Sequence, residues 1–220
     1  MNMNIRKILL LLLLVITSQL TFSQTDSMAQ KKYVSSNILF AYNSSIIYPG
    51  LKIGIEIPIY SVYVFKEENS HKVKSFKKDR YFSVISSWYH QPEFHDNFYF
   101  TVEWTMRRTN GTGLFTEFSS GPGYSRTFLG GTTYEVDNSG KVSIIKSAGY
   151  SYAMIIAGGG LGYDFSKSQG KPISIFYKLE LLTMFPYNST VYFRPAMSLG
   201  IIYRPGNFLR ILTGTKIVNK

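Results

Sequence analysis

The sequence predicts an all-β fold, an antiparallel up-and-down β-barrel of about eight strands. Three observations support this prediction: long segments alternate between apolar and polar residues, turn-forming residues separate these segments, and no segment after residue 23 has a sustained helical period. Because successive side chains of a strand point to opposite faces of a sheet, the alternation assigns every strand residue to one of two faces. A closed barrel would also leave no open sheet edge to promote aggregation.

Residues 1–23 are predicted to be a secretory signal peptide rather than part of the fold. Arg6 and Lys7 form a positive start, residues 8–16 are an unbroken apolar run, and small residues precede a cleavage site after Ser23. The run is too short to cross a bilayer comfortably, and a membrane anchor is the alternative. Cleavage would leave 197 residues with a formal net charge of +9, because the signal removes two of the 24 Lys and Arg and none of the 13 Asp and Glu.

Residues 24–207 are predicted to form the barrel. Alternation is clearest in residues 51–59, 98–107 and 191–203. In the first of these, every odd position is aliphatic, whereas the even positions are polar or small. Weaker alternation predicts five further strands, at residues 33–42, 81–90, 114–128, 153–165 and 173–185.

Turn-forming residues lie between the predicted strands, as is typical of antiparallel neighbours. They are Asn43-Ser44-Ser45, Gln91-Pro92-Glu93, Asn110-Gly111-Thr112-Gly113, residues 166–171 and Pro186-Tyr187-Asn188. Two connections are long: residues 60–80 carry five lysines, and residues 129–150 contain a predicted hairpin around Asp137-Asn138-Ser139-Gly140. Residues 208–220 form a tail, either an extra edge segment or a loose end. With strands counted from residue 33 and the N-terminus in the periplasm, residues 129–150 are expected outside and residues 60–80 inside. Both sides invert if the first predicted strand is not real.

The contents of the two faces favour a transmembrane barrel over a soluble, lipocalin-like one. The predicted strands have roughly 9–14 residues, which fits the ~9–11 tilted residues that cross a bilayer better than the ~5–6 of soluble strands. Aromatic residues gather at the strand ends, where amphipathic rings suit the headgroup level. They are Trp88, Tyr89, Phe98, Tyr99, Tyr163, Phe165 and Phe185.

The polar face is sparse and carries charges of both signs, which are expected to pair with and neutralise one another, as a narrow filled interior requires. The predicted interior charge cluster consists of Glu56, Glu103, Arg107, Glu117, Lys178, Glu180 and Arg194, with Lys52 on the same face. Glycines on this face are expected to make room for large neighbours such as Tyr192 or Arg194.

Several short motifs carry a resemblance to known proteins. The signal ends Phe22-Ser23-Gln24, the motif Gly123-Tyr124-Ser125-Arg126-Thr127-Phe128 leads into Thr133-Tyr134-Glu135-Val136, and Gly160-Leu161-Gly162-Tyr163-Asp164-Phe165 follows. In these motifs the chain resembles the small, mostly uncharacterised outer-membrane β-barrel proteins of Bacteroidetes-type bacteria. The resemblance implies a location in the outer membrane. The sequence departs from many such barrels by ending on Val218-Asn219-Lys220 instead of an aromatic residue.

Few residues suggest catalysis. The chain has no cysteine, which excludes thiol enzymes and cysteine-bound metal centres. His90 and His95 lie in a tight turn, and together with Ser87 they are weak candidates for a hydrolytic site of the Ser–His–carboxylate kind. The His-x-Ser-Asn element that marks lipid A deacylases does not occur, and no third ligand completes a metal site. No catalytic residue, metal or cofactor is therefore assigned.

The excess positive charge indicates an anionic partner. Nucleic acid is excluded because the signal peptide exports the protein and the lysines are not interleaved with stacking aromatics on a shared face. Outer-membrane lipid and lipopolysaccharide are the expected partners, with envelope proteins a further possibility, while a solubilising loop is the alternative. The predicted function is a structural or interaction role in the outer membrane. The alternatives are a lipid A or phospholipid acyl hydrolase or transferase and a soluble periplasmic carrier.

Overall fold

A computed structural model of the protein describes residues 30–45, 48–68, 72–137, 139–187 and 190–219. The predicted signal peptide lies outside these residues. The described chain contains twelve strands and one short helix. In chain order they are β1 (Gln30–Ser35), β2 (Asn37–Ser45), β3 (Tyr48–Glu68), β4 (Lys72–Gln91), β5 (His95–Asn110), β6 (Leu114–Leu129), β7 (Thr133–Val136), β8 (Val142–Ile145), β9 (Gly149–Asp164), α1 (Phe165–Ser168), β10 (Ile173–Tyr187), β11 (Thr190–Tyr203) and β12 (Arg210–Asn219).

Eight of these strands close into a ring. The order β3-β2-β11-β10-β9-β6-β5-β4 returns to β3 through the β3–β4 hairpin, and every pair in the ring is antiparallel. The first and last strands of the ring, β2 and β11, meet with Ser44 opposite Met197 and Ile38 opposite Tyr203. The predicted eight-stranded antiparallel barrel is therefore confirmed.

The two faces of the ring differ sharply in composition. Alternate residues pointing away from the barrel are large and apolar, and they remain exposed: Leu51 is 60% exposed, Leu161 60% and Leu199 61%. The residues between them point into the lumen and are buried. Along β5 this inward set is Asn97, Tyr99, Thr101, Glu103, Thr105, Arg107 and Thr109. The apolar face thus points outward, which is the reverse of a water-soluble barrel.

The lumen also contains apolar layers that the alternation did not predict. One cluster joins Tyr89 and Tyr99 to Met154, Ile156 and Leu182. A second joins Leu39, Ala41, Phe115, Phe176 and Ile202. The prediction that Tyr89 and Tyr99 lie at the headgroup level is wrong, because both point inward and are 5% and 2% exposed.

The barrel has two distinct ends. The apical end carries the β4–β5 turn and the long connection from β6 to β9, in which β7 and β8 form the predicted hairpin. One face of this hairpin is apolar and exposed, with Tyr134 opposite Ile144 and Val136 opposite Val142. At its tip, the Ser139 hydroxyl and the backbone N–H groups of Lys141 and Ser139 donate to Asp137, which lowers the pKa of that carboxyl.

The basal end carries the β5–β6 turn, the connection from β9 to β10 that contains α1, and the chain leaving β11. Here the predicted long connection of residues 60–80 is wrong, because β3 continues to Glu68 and β4 begins at Lys72. A β-bulge between Pro58 and Tyr60 leaves Ile59 without an opposite residue, so that the alternation changes phase. This phase change hides the continuation of the strand in the sequence.

Strands β1 and β12 extend the sheet further at the basal end. Strand β12 pairs in parallel with β3, from Gly214 opposite Tyr60 to Asn219 opposite Phe65, and β1 pairs antiparallel with β12. Of the two alternatives for residues 208–220, the structure has the extra strand. We call β1, β12, residues 60–68 and residues 72–80 together the basal extension. Among the described residues, no helix is long and apolar enough to span a membrane.

Candidate functional site

The predicted interior charges lie in the lumen at three levels. Four cations and four carboxylates are buried there, counting Lys52 with the seven residues of the predicted cluster. All eight are at most 7% exposed. Since buried charges are costly unless paired, the arrangement of partners decides what this interior can do.

The level nearest the basal end, which we call the lower ion layer, centres on Arg107. Its Nη1 and Nη2 donate to Glu56 at 3.0 and 2.6 Å, and its Nε and Nη2 donate to Glu117 at 2.9 and 2.6 Å. The guanidinium lies between two aromatic rings, with Cζ 5.0 Å from the ring centroid of Tyr81 and 4.9 Å from that of Phe115. These bidentate, charge-assisted bonds fix strands β3, β5 and β6 to each other across the lumen.

The middle ion layer consists of Lys52, Glu103, Lys178 and Glu180. Lys52 donates to Glu180, and Lys178 lies 3.2 Å from both Glu103 and Glu180. Hydroxyl groups donate further hydrogen bonds to the carboxylates: Ser119 donates to Glu103 at 2.6 Å, and Ser198 donates to Glu180 at 2.8 Å. This layer is neutral, and together with the two serines it joins five strands of the ring.

The inward-facing glycines of β9 give the ion layers their space. A Cβ at Gly158 would lie 2.8 Å from Glu180 Cγ and 3.2 Å from Lys178 Cε, and a Cβ at Gly162 would lie 2.3 Å from Phe115 Cζ. The expectation that glycines make room for large neighbours fits this geometry. The neighbours at these two positions are Glu180, Lys178 and Phe115, whereas Tyr192 and Arg194 are not among them.

Near the apical end, Arg194 has a different environment. Its Cζ lies 3.4 Å from the ring centroid of Tyr89, and neither Nη1 nor Nη2 has a hydrogen-bond partner among the described residues. The expectation that Arg194 pairs with a carboxylate in the interior is therefore wrong. The carboxylates of its strand neighbours lie deeper, in the middle ion layer.

The weak catalytic candidates do not come together. Ser87 points into the lumen and is 2% exposed, whereas His90 points outward from the same strand. His90 Nδ1 lies 2.9 Å from Asp96 Oδ1, and Trp88 Nε1 donates to the same oxygen at 3.2 Å. His95 Nε2 lies 3.3 Å from the Tyr89 hydroxyl. No serine contacts either histidine among the described hydrogen bonds, so the geometry contains an imidazole–carboxylate pair without a nucleophile. Nor do the described residues include any group of three or more His, Asp or Glu that could hold a metal.

A pocket at the basal end was not predicted from the sequence. It has a volume of about 210 Å³ and is lined by Tyr63, Phe65, Ser75, Phe76, Lys77, Thr109, Asn110, Gly111 and Lys167. Lys77 Nζ lies 5.5 Å from the ring centroid of Tyr63 and 2.8 Å from Asp79, which also accepts a 2.5 Å hydrogen bond from the Ser61 hydroxyl. Only the lysine content of residues 60–80 pointed to this region.

The charges outside the lumen are unevenly divided between the two ends. Among the described residues, and by position along the strands and turns, the basal end carries 14 Lys and Arg against four Asp and Glu, a net charge of +10. Its basic residues are Lys31, Lys32, Lys66, Lys72, Lys74, Lys77, Lys78, Arg80, Arg108, Lys167, Lys171, Arg204, Arg210 and Lys216. The apical end carries three basic and four acidic residues, a net charge of −1. The positive charge therefore belongs to one whole end of the barrel rather than to one loop.

Comparisons with known proteins find solved structures that are similar at low sequence identity. The structure is similar to Neisserial surface protein A, with a TM-score of 0.42 and 11% identity, over 79% of this chain and 96% of that one. It is also similar to the N-terminal β-barrel domain of Pseudomonas aeruginosa OprF, with a TM-score of 0.41 and 14% identity, over 79% of this chain and all of that one. No family model and no curated protein sequence matches the chain. The resemblance to Bacteroidetes-type barrels stays a prediction, and the fold assignment rests on the strand pairing itself.

Proposed function

We propose that this protein is a small outer-membrane β-barrel with a structural or interaction role and a filled, charge-paired interior. The observation that carries the proposal is the distribution of residues over the two faces of the ring. A continuous apolar surface points outward, and eight charged side chains are buried inside. Lipid solvates the first surface favourably, whereas water would not.

The filled interior favours a role at the two ends of the barrel over transport through it. The lower ion layer joins β3, β5 and β6 across the lumen. The middle ion layer joins β3, β5 and β10 and, through Ser119 and Ser198, also β6 and β11. Apolar clusters occupy the levels beside these layers. A narrow eight-stranded barrel packed in this way holds side chains rather than a continuous column of water.

The two alternative functions fit the geometry less well. An acyl hydrolase needs a serine beside a histidine, and Ser87 lies on the opposite face of β4 from His90. A soluble carrier needs its apolar face inside the barrel, and that face points outward here. Outer-membrane lipid and lipopolysaccharide remain the proposed partners of the apolar band and of the charged ends.

Membrane fractionation tests the location. We expect the protein to be recovered with outer membranes, to require detergent for extraction, and to migrate differently on gels before and after heating. Recovery in the soluble periplasmic fraction would contradict the proposal.

Planar-bilayer recordings test the filled interior: we expect no stable open pore from the purified protein, and a large steady conductance would exclude this part of the proposal.

A further inference from the structure

We propose that the basal pocket binds an anionic saccharide, a sugar ring that carries a phosphate or carboxylate group. The pocket lies on the inner face of the basal extension, below the lower ion layer. The inference rests on the fold alone and stands whether or not the protein proves to lie in the outer membrane.

The position of the pocket follows from strand register. Glu56 and Pro58 point into the lumen, and after the bulge the inward positions of β3 become Ser61, Tyr63 and Phe65. Their partners on β4 are Asp79, Lys77 and Ser75. The bulge thus places aromatic side chains on a surface that continues the lumen wall. A ligand on this face is reached from the water beyond the barrel end and is turned away from the lipid-facing surface.

The lining supplies the two kinds of contact that anionic sugars use. Tyr63 and Phe65 provide apolar ring surfaces against which the C–H groups of a sugar ring can pack. Lys77 and Lys167 provide ammonium donors for a phosphate or carboxylate, and Asn110 provides an amide for sugar hydroxyls. The volume of about 210 Å³ is smaller than a typical drug-sized site and suits a single substituted ring.

The charge of the surrounding surface favours an anion. The basal end carries a net charge of +10, and its basic residues come from seven separate strands, turns and connections. Such a concentration of one sign raises the local concentration of anions and speeds their association. Asp79 neutralises part of the charge of Lys77. The other cation of the pocket, Lys167 on α1, has no ion pair among the described salt bridges.

Isothermal titration calorimetry on the purified, detergent-solubilised protein tests the inference. The probes are glucose 6-phosphate, glucuronate, glucose and inorganic phosphate. We expect both sugar anions to bind, and glucose and inorganic phosphate to bind at least about tenfold more weakly, because each lacks one of the two contacts. Equal binding of glucose, or no binding of either sugar anion, would overturn the inference.

Variants locate the site. Lys77→Gln together with Lys167→Gln is expected to weaken binding of both sugar anions by about tenfold or more. The matched control is Lys141→Gln with Lys146→Gln, which removes the same charge from the exposed apical end and is expected to leave binding unchanged. Equal weakening by both pairs would mean that net charge alone attracts the sugars, and would overturn the assignment to the pocket.

One further variant and one lipid probe complete the test. Lys167→Gln alone changes the exposed helix α1 and leaves the Lys77–Asp79 pair intact, so it replaces the double variant if that variant does not fold. Phosphatidylglycerol vesicles serve as the lipid probe. If they bind through Lys77 and Lys167 while the sugar anions do not, the surface is a lipid-headgroup site and the saccharide inference is wrong.

Discussion

Arg107 and Arg194 lie in the same lumen, near opposite ends, and are buried to almost the same degree, at 2% and 4% exposed. Arg107 binds two carboxylates and lies between two aromatic rings, whereas the Nη atoms of Arg194 have no hydrogen-bond partner among the described residues and its guanidinium stacks on Tyr89. The difference shows that equal numbers of interior cations and carboxylates do not imply pairwise neutralisation. The position of each arginine along its strand determines whether a carboxylate lies within hydrogen-bond distance.

The two arginines should therefore respond differently to removal. Deleting Arg107 would leave Glu56 and Glu117 buried without their cation, and an uncompensated buried charge is strongly destabilising. Deleting Arg194 would leave no carboxylate behind. Four substitutions test this contrast, from the largest expected effect to the smallest.

Arg107→Met should lower the free energy of unfolding by about 3–5 kcal/mol, because two carboxylates lose their partner. Urea titration in lipid vesicles, followed by heat-modifiable gel migration, measures the change. Adding Glu56→Gln and Glu117→Gln to the same variant should restore much of the loss. A loss of less than about 1 kcal/mol in the single variant would show that the lower ion layer does not hold the barrel together.

Glu180→Gln should cost about 2–3 kcal/mol, because Lys52 loses its carboxylate and Lys178 keeps only Glu103. The same urea titration measures it. Glu135→Gln is the control, since Glu135 is exposed on the apical hairpin and should change stability very little. Equal effects of the two substitutions would contradict a special role for the middle ion layer.

Gly162→Ala should cost about 1–3 kcal/mol, because the new Cβ would lie 2.3 Å from Phe115 Cζ, under the guanidinium of Arg107. Gly159→Ala on the same strand is the matched control. A Cβ at Gly159 would have its nearest neighbour 3.8 Å away. If both alanines cost the same, the effect comes from backbone conformation and not from crowding below the lower ion layer.

Arg194→Leu should change the free energy of unfolding by less than about 1 kcal/mol, because relief of an unpaired buried charge offsets the lost contact with Tyr89. The same urea titration used for Arg107→Met measures this change in the free energy of unfolding. A loss of 3 kcal/mol or more, matching that of Arg107→Met, would mean that Arg194 is paired in the folded protein and would remove the contrast.

The sequence predicted the ring well because strands with one apolar, outward-facing side have a simple pattern. A large apolar residue at every second position, as in residues 51–59, requires only that one face meets an apolar medium, and this local rule needs no knowledge of neighbouring strands. The same rule assigned the interior charges to the lumen side. It could not reveal their pairing, because residues such as Lys52 and Glu180, which meet across the lumen, are 128 residues apart in the chain.

The rule failed where a strand changes phase or where both faces are apolar. The bulge at Pro58–Tyr60 shifts the alternation, so residues 60–68 resembled a charged connection. Tyr89 and Tyr99 resembled girdle residues because aromatic rings occur both at membrane boundaries and in packed interiors. The basal pocket was not predicted because its lining comes from five separate parts of the chain: β3, β4, the end of β5, the β5–β6 turn and α1.

The single unpaired residue at the bulge, Ile59, controls which chemistry the basal extension offers to its surroundings. If Ile59 instead paired in a regular ladder, Val62 and Val64 would lie opposite Lys77 and Ser75 and take the inward positions of Tyr63 and Phe65. The aromatic wall would turn outward while the ring above it kept its register. Forming or losing a single β-bulge is thus a route by which a barrel of this kind could acquire or lose a recognition surface without any change to its outward-facing apolar sequence.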